Sequence, residues 1–242
     1  MQEIVYHSNF EIEEKYFWFL ARNKIITKII NQVTDLNNND QVIDIGCGTG
    51  GFAKILSQQF AVTCLDMSPI ALDYCSKRGL TDLHNCILKD FDKGNRSLKA
   101  AFMLDVIEHI DDDIEVVSQV YDLLETNGWF IATVPAYQWL WSNHDEVHQH
   151  KRRYTMKKFN SLISNAGFEI NYSTYFNSFL FLPAVTKRAV DGLKGSKNKL
   201  PVDEVSPLLN SVFNKIFSFE STFLPFIKFP FGLSILIVAK KL

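Results

Sequence analysis

The chain has 242 residues, 47% of them hydrophobic and 21% charged, enough to bury a substantial core and too apolar for a disordered tail. A net charge of −2 gives no general attraction to nucleic acid. No run reaches the roughly 18 apolar residues of a membrane-spanning helix. The acidic, polar start MQEIVYHSNFEIEEKYFWFL does not suit a secretory signal. Cys47, Cys64, Cys75 and Cys86 include no C-x-x-C pair, so reduced thiols in the cytoplasm are expected. Charge is unevenly spread. Residues 101–150 hold ten acids and no Lys or Arg, whereas 151–199 hold ten Lys or Arg and only Glu169 and Asp191 as acids.

Apolar residues recur at helical spacing from 11 to 33 (Phe17, Leu20, Ile25, Ile26, Ile29, Ile30), and DLNNND ends that pattern. QVIDIG is a predicted buried strand, GGFAKILSQQF a helix and AVTCLDM a second strand. SPIALDYCSKRG is a helix with Ser68 as N-cap, Pro69 at the first position and Gly79 past the end. LHNCILKDF and AAFMLDVIEHI are a third and a fourth strand. A helix with an acidic first turn follows over 111–128, then the strand WFIATVPA. MKKFNSLISNAG is a helix, FEINYSTYF a strand, and LSILIVAKKL the last strand. This alternation predicts an α/β fold with a mostly parallel sheet covered on both faces. Before the last strand lies a Phe-rich, Lys-dotted insert, too long for a loop, with helices expected near 178–193 and 206–223.

VIDIGCGTGG follows the strand–glycine–helix pattern of a nucleotide-binding turn, and Gly46, Gly48 and Gly51 satisfy G-x-G-x-x-G. That pattern alone would also serve a nicotinamide dinucleotide. Charge separates the two ligands. A pyrophosphate is favoured at such a turn when cations and free amides meet it. Here Asp44 precedes the turn and no cation appears before Lys54. Asp66, Asp90 and Asp105 also fall at predicted carboxyl ends of strands, the edge where open α/β sheets bind ligands. A crevice lined by acids suits a cationic cofactor without phosphate, such as S-adenosylmethionine with its ammonium and sulfonium.

VIDIGCGTGG, VTCLDMSPIAL, CILKDF, MLDVIEHI and NGWFIATVPA, in this order and spacing, resemble class I S-adenosylmethionine-dependent methyltransferases over roughly residues 12–177 and the last strand. The resemblance implies a Rossmann-like, seven-stranded sheet whose last strand is antiparallel. It implies that Asp44, Gly46, Cys47, Gly48 and Gly50 surround the methionine part of the cofactor. Asp66, with Met67 beside it, would meet the ribose, and Asp90 and Phe91 the adenine. Asp105 would complete the acidic edge. YFWFLARNKII resembles a helix that closes over the cofactor, with Trp18 and Arg22 as contacts. One departure is KGNRSLKAAFML, which lacks the Phe-Asp pair frequent before the fourth strand. The implied layout is one domain: a helical lid (1–35), a cofactor-binding core (36–177), a helical insert capping the acceptor (178–231) and a final strand (232–242).

NHDEVHQHKRRYT, residues 143–155, follows the fifth strand at the same edge, and the resemblance places it by the acceptor. His109, His144 and His150 are candidates to take the proton released by methyl transfer to oxygen or nitrogen. Tyr154 could orient the acceptor. Trp141, Arg152 and Arg153 could bind it, the arginines through a carboxylate or phosphate. Zinc would tolerate three histidines. However, His144 and His148 share a face only on a helix, whereas His148 and His150 alternate as on a strand. The sulfonium already activates the methyl, so no metal is expected. In the insert, Leu208, Leu209, Val212, Phe213, Ile216, Phe217, Phe223 and Leu224 form one apolar face. It could pack on the core or a second subunit, line an acceptor pocket, or touch lipid with help from Lys187, Arg188, Lys194, Lys197 and Lys199. The expected protein is a cytoplasmic methyltransferase, peripheral at a membrane if that face meets lipid, acting on a small or lipid-linked acceptor and not on nucleic acid. The alternatives are a nicotinamide-linked oxidoreductase and a cofactor-binding partner without catalysis.

Overall fold

The computed structural model describes residues 3–194 and 205–242. Helical periodicity from residue 11 is interrupted at 13–16, so two helices open the fold, α1 (Glu3–Ile12) and α2 (Phe17–Val33). α1 has little apolar pattern of its own. It is held by burying Val5 and Tyr6 and by stacking Phe10 on Tyr74 with ring centroids 4.4 Å apart. α2 buries Ile25, Ile26, Ile29 and Ile30, the residues its period selects, against Phe52, Phe102, Trp129 and Leu236.

β1 (Gln41–Ile45), α3 (Gly51–Leu56), β2 (Ala61–Leu65) and α4 (Pro69–Lys77) follow as predicted. The Ser68 hydroxyl accepts from the Ala71 N–H, and Gly79 takes φ +86° past the helix end. The third strand is shorter than expected: β3 is only Leu83–His84, followed by a 3-10 turn at Leu88–Asp90. Asn85 explains the early stop. Its side-chain amide donates to the Asp66 carbonyl at 3.0 Å, satisfying the acceptor that a continuing strand would have used.

β4 (Leu98–Leu104) pairs with β1 through a register shift. Gln41 faces Leu98 and Val42 faces Ala100, so Lys99 bulges out to pair with Glu125. α5 (Asp113–Leu123) starts at Asp112, whose carboxylate accepts from the Glu115 N–H at 2.9 Å. Then come β5 (Trp129–Pro135), α6 (Asn143–His148), α7 (Met156–Asn165), β6 (Glu169–Phe176), α8 (Phe181–Lys194), α9 (Pro207–Phe219) and β7 (Ser234–Lys240).

The strands form one seven-stranded sheet in the order β3-β2-β1-β4-β5-β7-β6. β7 runs antiparallel to both neighbours, and the other pairs are parallel. Val42, Ile43, Phe102, Phe130, Ile131, Leu236 and Ile237 have no exposure, because helices cover both faces. One layer of core joins β4 and β5 to α5 and α7, and the other joins them to α2 and α9.

The insert's apolar face is split rather than buried as a unit. Phe217 and Leu224 are buried and Phe213 packs on Phe17, while Leu208, Leu209, Val212 and Ile216 remain exposed. Asn210 turns toward α2. Its Oδ1 accepts from the Phe17 N–H at 2.8 Å and its Nδ2 donates to the Lys15 carbonyl at 2.9 Å, capping the start of that helix. Glu220, fully buried, accepts from the backbone N–H of Asn177 and of Phe179, both at 2.7 Å, and so ties the insert to the end of β6. Lys197 and Lys199 lie outside the described residues. No helix among the described residues is long and apolar enough to cross a membrane.

Candidate active site

The carboxyl ends of β1, β2 and β4 form the acidic edge. After β1 the chain turns through Gly46 at φ +70° and Gly50 at φ +81°. A Cβ on Gly46 would lie 2.7 Å from Val106 Cγ2, and one on Gly50 would lie 2.8 Å from Cys75 Sγ, so both space and conformation require glycine. Asp44 is buried at 3% exposure. Burial, with Cys75 close by, pushes its carboxyl up to about 8, and Arg22 opposes this. Asp66 accepts from the Gly48 N–H at 3.0 Å and from the Ser68 N–H at 2.8 Å. Burial raises its pKa, and those two amides hold the rise back. Asp105, at φ +57°, accepts from Arg22 Nη1 at 2.8 Å. The Arg22 guanidinium in turn sits 4.7 Å from the Trp18 ring. Trp18, Arg22, Asp44, Asp66 and Asp105 therefore converge, with α2 laid over the strand ends.

The remaining members of this set lie less centrally. The Cys47 side chain faces inward, 3.7 Å from the Cys75 sulfur, so the residue lines the loop through its backbone. Met67 is 73% exposed beside Asp66. Asp90 does not end a strand, contrary to expectation. It is exposed in the 3-10 turn after β3, and Phe91 packs edge-on against His84 at 4.9 Å. Sequence reasoning missed a latch over the loop. Glu13, between α1 and α2, accepts from the Thr49 hydroxyl at 2.6 Å and from Arg78 at 3.1 Å, while Arg78 also donates to the Thr49 carbonyl at 2.8 Å. Glu13 is an acid in an acidic stretch, and nothing local marks its partner 36 residues away.

Beyond β5 the backbone enters the left-handed region at Tyr137 (φ +58°), a conformation costly for a bulky residue. Tyr137 stacks on Tyr175 at 5.2 Å and meets Phe181 at 6.0 Å, with Trp139 5.6 Å from Tyr137 and 6.3 Å from Phe181 in the same aromatic wall. α6 resolves the conflict seen in the histidine spacing. The helix stacks His144 on His148 at 4.1 Å, and Gln149 then takes φ +58°, turning the chain so that His150 lies 5.9 Å from each. Both arrangements coexist because one left-handed residue separates them.

Asp145 is the hub of this turn and had no role in the sequence reading. It is fully buried and accepts from Arg153 Nε at 2.7 Å, Arg153 Nη2 at 2.9 Å and His150 Nδ1 at 2.9 Å. Burial raises its pKa, but His150 and Arg153 outweigh this and hold it well below the usual carboxylate range. Arg153 is thus buried and spent on Asp145, not free to clamp an acceptor anion. Arg152 pairs with Asp113 at 3.0 Å and donates to the Asp111 carbonyl, at the start of α5. The Tyr154 hydroxyl donates to the same Asp113 at 2.7 Å from a buried ring, so it is a packing residue rather than an acceptor contact. The Trp141 indole N–H donates to Glu146 on the outer side of α6.

Of the three histidines, His144 is exposed on α6. His109 lies 4.7 Å from His150, ring to ring, and burial, with His150 and His148 nearby, pulls its pKa down to about 4. His150 commits its Nδ1 to Asp145 at 2.9 Å, so Nε2 is its nitrogen on the other side of the ring.

Comparison with known proteins agrees with this fold. A family model described as "Methyltransferase domain" matches residues 17–173. No curated protein sequence matches the chain. Among solved structures, an S-adenosylmethionine-dependent methyltransferase from Archaeoglobus fulgidus is similar at 19% identity and a TM-score of 0.61, covering 96% of this chain and 99% of that one. A possible histamine N-methyltransferase from Thermotoga maritima is similar at 17% identity and a TM-score of 0.57, covering 98% and 99%. A geranyl diphosphate methyltransferase in complex with S-adenosylmethionine is similar at 12% identity and a TM-score of 0.60, covering 93% and 90%. At these identities the structural likeness concerns the fold.

Proposed function

The chain belongs to the methyltransferase-domain family and is an S-adenosylmethionine-dependent enzyme, and on that premise we propose that it methylates an oxygen or nitrogen of a small-molecule or lipid-linked acceptor. The observation that carries the cofactor pose is Asp44, a buried carboxylate beside the glycine turn that a cationic ligand would ionise. In this pose the ammonium of the cofactor pairs with Asp44 and the backbone of Gly46, Cys47, Gly48 and Gly50 surrounds its methionine part. Asp66 accepts the ribose hydroxyls with the lone pairs that Gly48 and Ser68 leave open. Asp90 and Phe91 flank the adenine, with Met67 beside it. Trp18, Arg22 and Asp105 close the crevice from the α2 side.

The acceptor then approaches from the side of Tyr137 and His150. Its lone pair attacks the methyl carbon in line with the departing sulfur, the carbon–sulfur bond electrons go to sulfur, and S-adenosylhomocysteine remains. Alignment of the reacting atoms supplies much of the rate. His150 Nε2 takes the acceptor's proton, and Asp145 steadies the resulting imidazolium. The wall of Tyr137, Trp139 and Phe181 supports an acceptor with an apolar part, and exposed Leu182, Phe226 and Ile227 nearby in the insert favour one carried on a lipid.

Calorimetry tests the cofactor half: S-adenosylmethionine and S-adenosylhomocysteine are expected to bind and a nicotinamide dinucleotide is not. Incubating cell extract with methyl-labelled cofactor, followed by mass spectrometry, identifies the acceptor. A labelled product without an oxygen- or nitrogen-linked methyl would refute the reading. Sedimentation with anionic liposomes at low salt tests the lipid-linked form, which predicts co-sedimentation.

A further inference from the structure

Two arginines on the acceptor side are already paired. Arg153 is committed to Asp145 and the Ala136 carbonyl, and Arg152 to Asp113 and the Asp111 carbonyl. Arg188, on α8, differs from both. Its Nη1 is buried and has no hydrogen-bond partner among the described residues. Burial, with Arg153 nearby, pulls its pKa down to about 10, and Asp145 nearby opposes this, so the guanidinium is still charged at neutral pH. A buried cationic donor without an acceptor is disfavoured, and native interiors rarely keep one unless a ligand completes it.

Helical periodicity explains the direction of the side chain. Phe181, Ala184, Val185 and Arg188 share one half-buried face of α8, while Leu182 and Lys187 are exposed. Phe181 leads that face into the aromatic wall, 6.0 Å from Tyr137 and 6.3 Å from Trp139. Arg188 follows about 10 Å further along the same face. Its place in a Lys-dotted insert suggests a lipid contact, yet its tip is buried on the side of Arg153 and Asp145, next to the acid that holds His150. Asp145 cannot take Arg188 as a further partner. Its Oδ1 accepts from Arg153 and His150, and its Oδ2 from Arg153, the Ser142 N–H and the Ser142 hydroxyl.

We propose that Arg188 binds an anionic group of the acceptor, a carboxylate or a phosphate, and so selects acceptors that carry one. The inference rests on reading the side of Tyr137 and His150 as the acceptor's. A guanidinium presents parallel N–H donors that match the paired oxygens of either anion, and such charge-assisted bonds are stronger than neutral ones. Arg153 is balanced by Asp145, which leaves the charge of Arg188 for the ligand. A neutral molecule of the same shape would leave the buried guanidinium unsatisfied, and that penalty is the source of discrimination. The aromatic wall and the guanidinium on one helix face fit an acceptor whose anion stands beside an apolar segment.

The test titrates the full chain by calorimetry, with and without S-adenosylhomocysteine, using hexanoate, hexyl phosphate and hexanol as probes. At least one of the two anions should bind roughly tenfold or more tightly than the alcohol, and the tighter one shows which oxyanion the guanidinium prefers. In Arg188→Gln that preference should vanish while hexanol affinity stays the same. Arg188→Lys should keep part of it, because the charge remains and the planar fork is lost. Affinity for S-adenosylhomocysteine should be equal in all three proteins. Circular dichroism and thermal melting check that each variant is folded, and if Arg188→Gln is not, the weaker anion binding of Arg188→Lys is read. Equal binding of the three probes by the parent overturns the proposal, as does an undiminished anion preference in a folded Arg188→Gln. No methyl is transferred in these titrations, so they speak to Arg188 alone, whereas an extract that yields no labelled product speaks against the acceptor reading.

Discussion

The two ends of the crevice handle polar groups in opposite ways. On the cofactor side, Asp44 and Asp66 are buried, raised in pKa and still able to accept further hydrogen bonds. On the acceptor side, polar residues are mostly spent on one another: Arg153 and His150 on Asp145, Arg152 and Tyr154 on Asp113, Trp141 on Glu146. The first arrangement stores binding capacity for a ligand. The second builds a polar wall of paired groups beside Glu108, whose buried carboxylate oxygens have no hydrogen-bond partner among the described residues. A residue's type therefore says little about availability, because buried Arg153 already directs three of its five N–H donors to Asp145 and the Ala136 carbonyl.

The contrast can be broken at either end, and the largest effect should come from the acceptor side. His150→Gln is expected to lower kcat by roughly 10²–10⁴ while leaving the cofactor Kd unchanged, measured by single-turnover kinetics and calorimetry. A parallel loss of cofactor affinity would show that the two ends are not separate.

Asp44→Asn should weaken cofactor binding by roughly 100-fold, or about 3 kcal/mol, since it removes one partner of a buried charge pair. The pH dependence sharpens this. With its carboxyl raised to about 8, Asp44 in the free protein must shed a proton to meet an ammonium. Nearby Cys75, Asp66 and Glu13 disfavour the ionised form and Arg22 favours it. Affinity should accordingly rise from pH 6 towards 8, and calorimetry on Asp44→Asn should find that slope gone.

Glu220 gives a stability effect of similar size away from the crevice. Burial raises its carboxyl to about 7, above the ordinary value near 4.5, against the opposing pull of the backbone amides at 177–179. The folded state then binds more protons than the unfolded state between those two values, so its contribution falls as pH rises through that window. The loss amounts to about 3 kcal/mol, and denaturant melts should find Glu220→Gln flatter over pH 4.5–7. A slope equal to the parent's would show that Glu220 is not the titrating group. The smallest effect is that of Asn210→Ala, expected to cost about 1 kcal/mol in thermal unfolding by uncapping α2.

Much of the cofactor side was legible in the amino-acid order because its determinants are local. Alternating strand and helix periods, the glycines at positive φ and the Ser68 cap each depend on a few neighbouring residues. β3 stopped short of its predicted length because an Asn85 side chain competed for one carbonyl. α1 left little trace because its stability comes from Tyr74, far along the chain. The acceptor side was legible in composition but not in arrangement. The histidine stretch announced itself, yet its geometry turns on the left-handed Gln149, and the roles of Arg152, Arg153 and Tyr154 depend on acids that only the folded chain brings to them. Glu108 fell within the predicted fourth strand, which ends at Leu104, and its complete burial became visible only in the fold.

The residue that caps α2 stands 193 positions beyond the amide it serves. During synthesis, the first turn of that helix must leave the ribosome with its amide at Phe17 open to water and wait until Asn210 has emerged. The start of α2 can therefore be completed only after β1 to β6 have all been made.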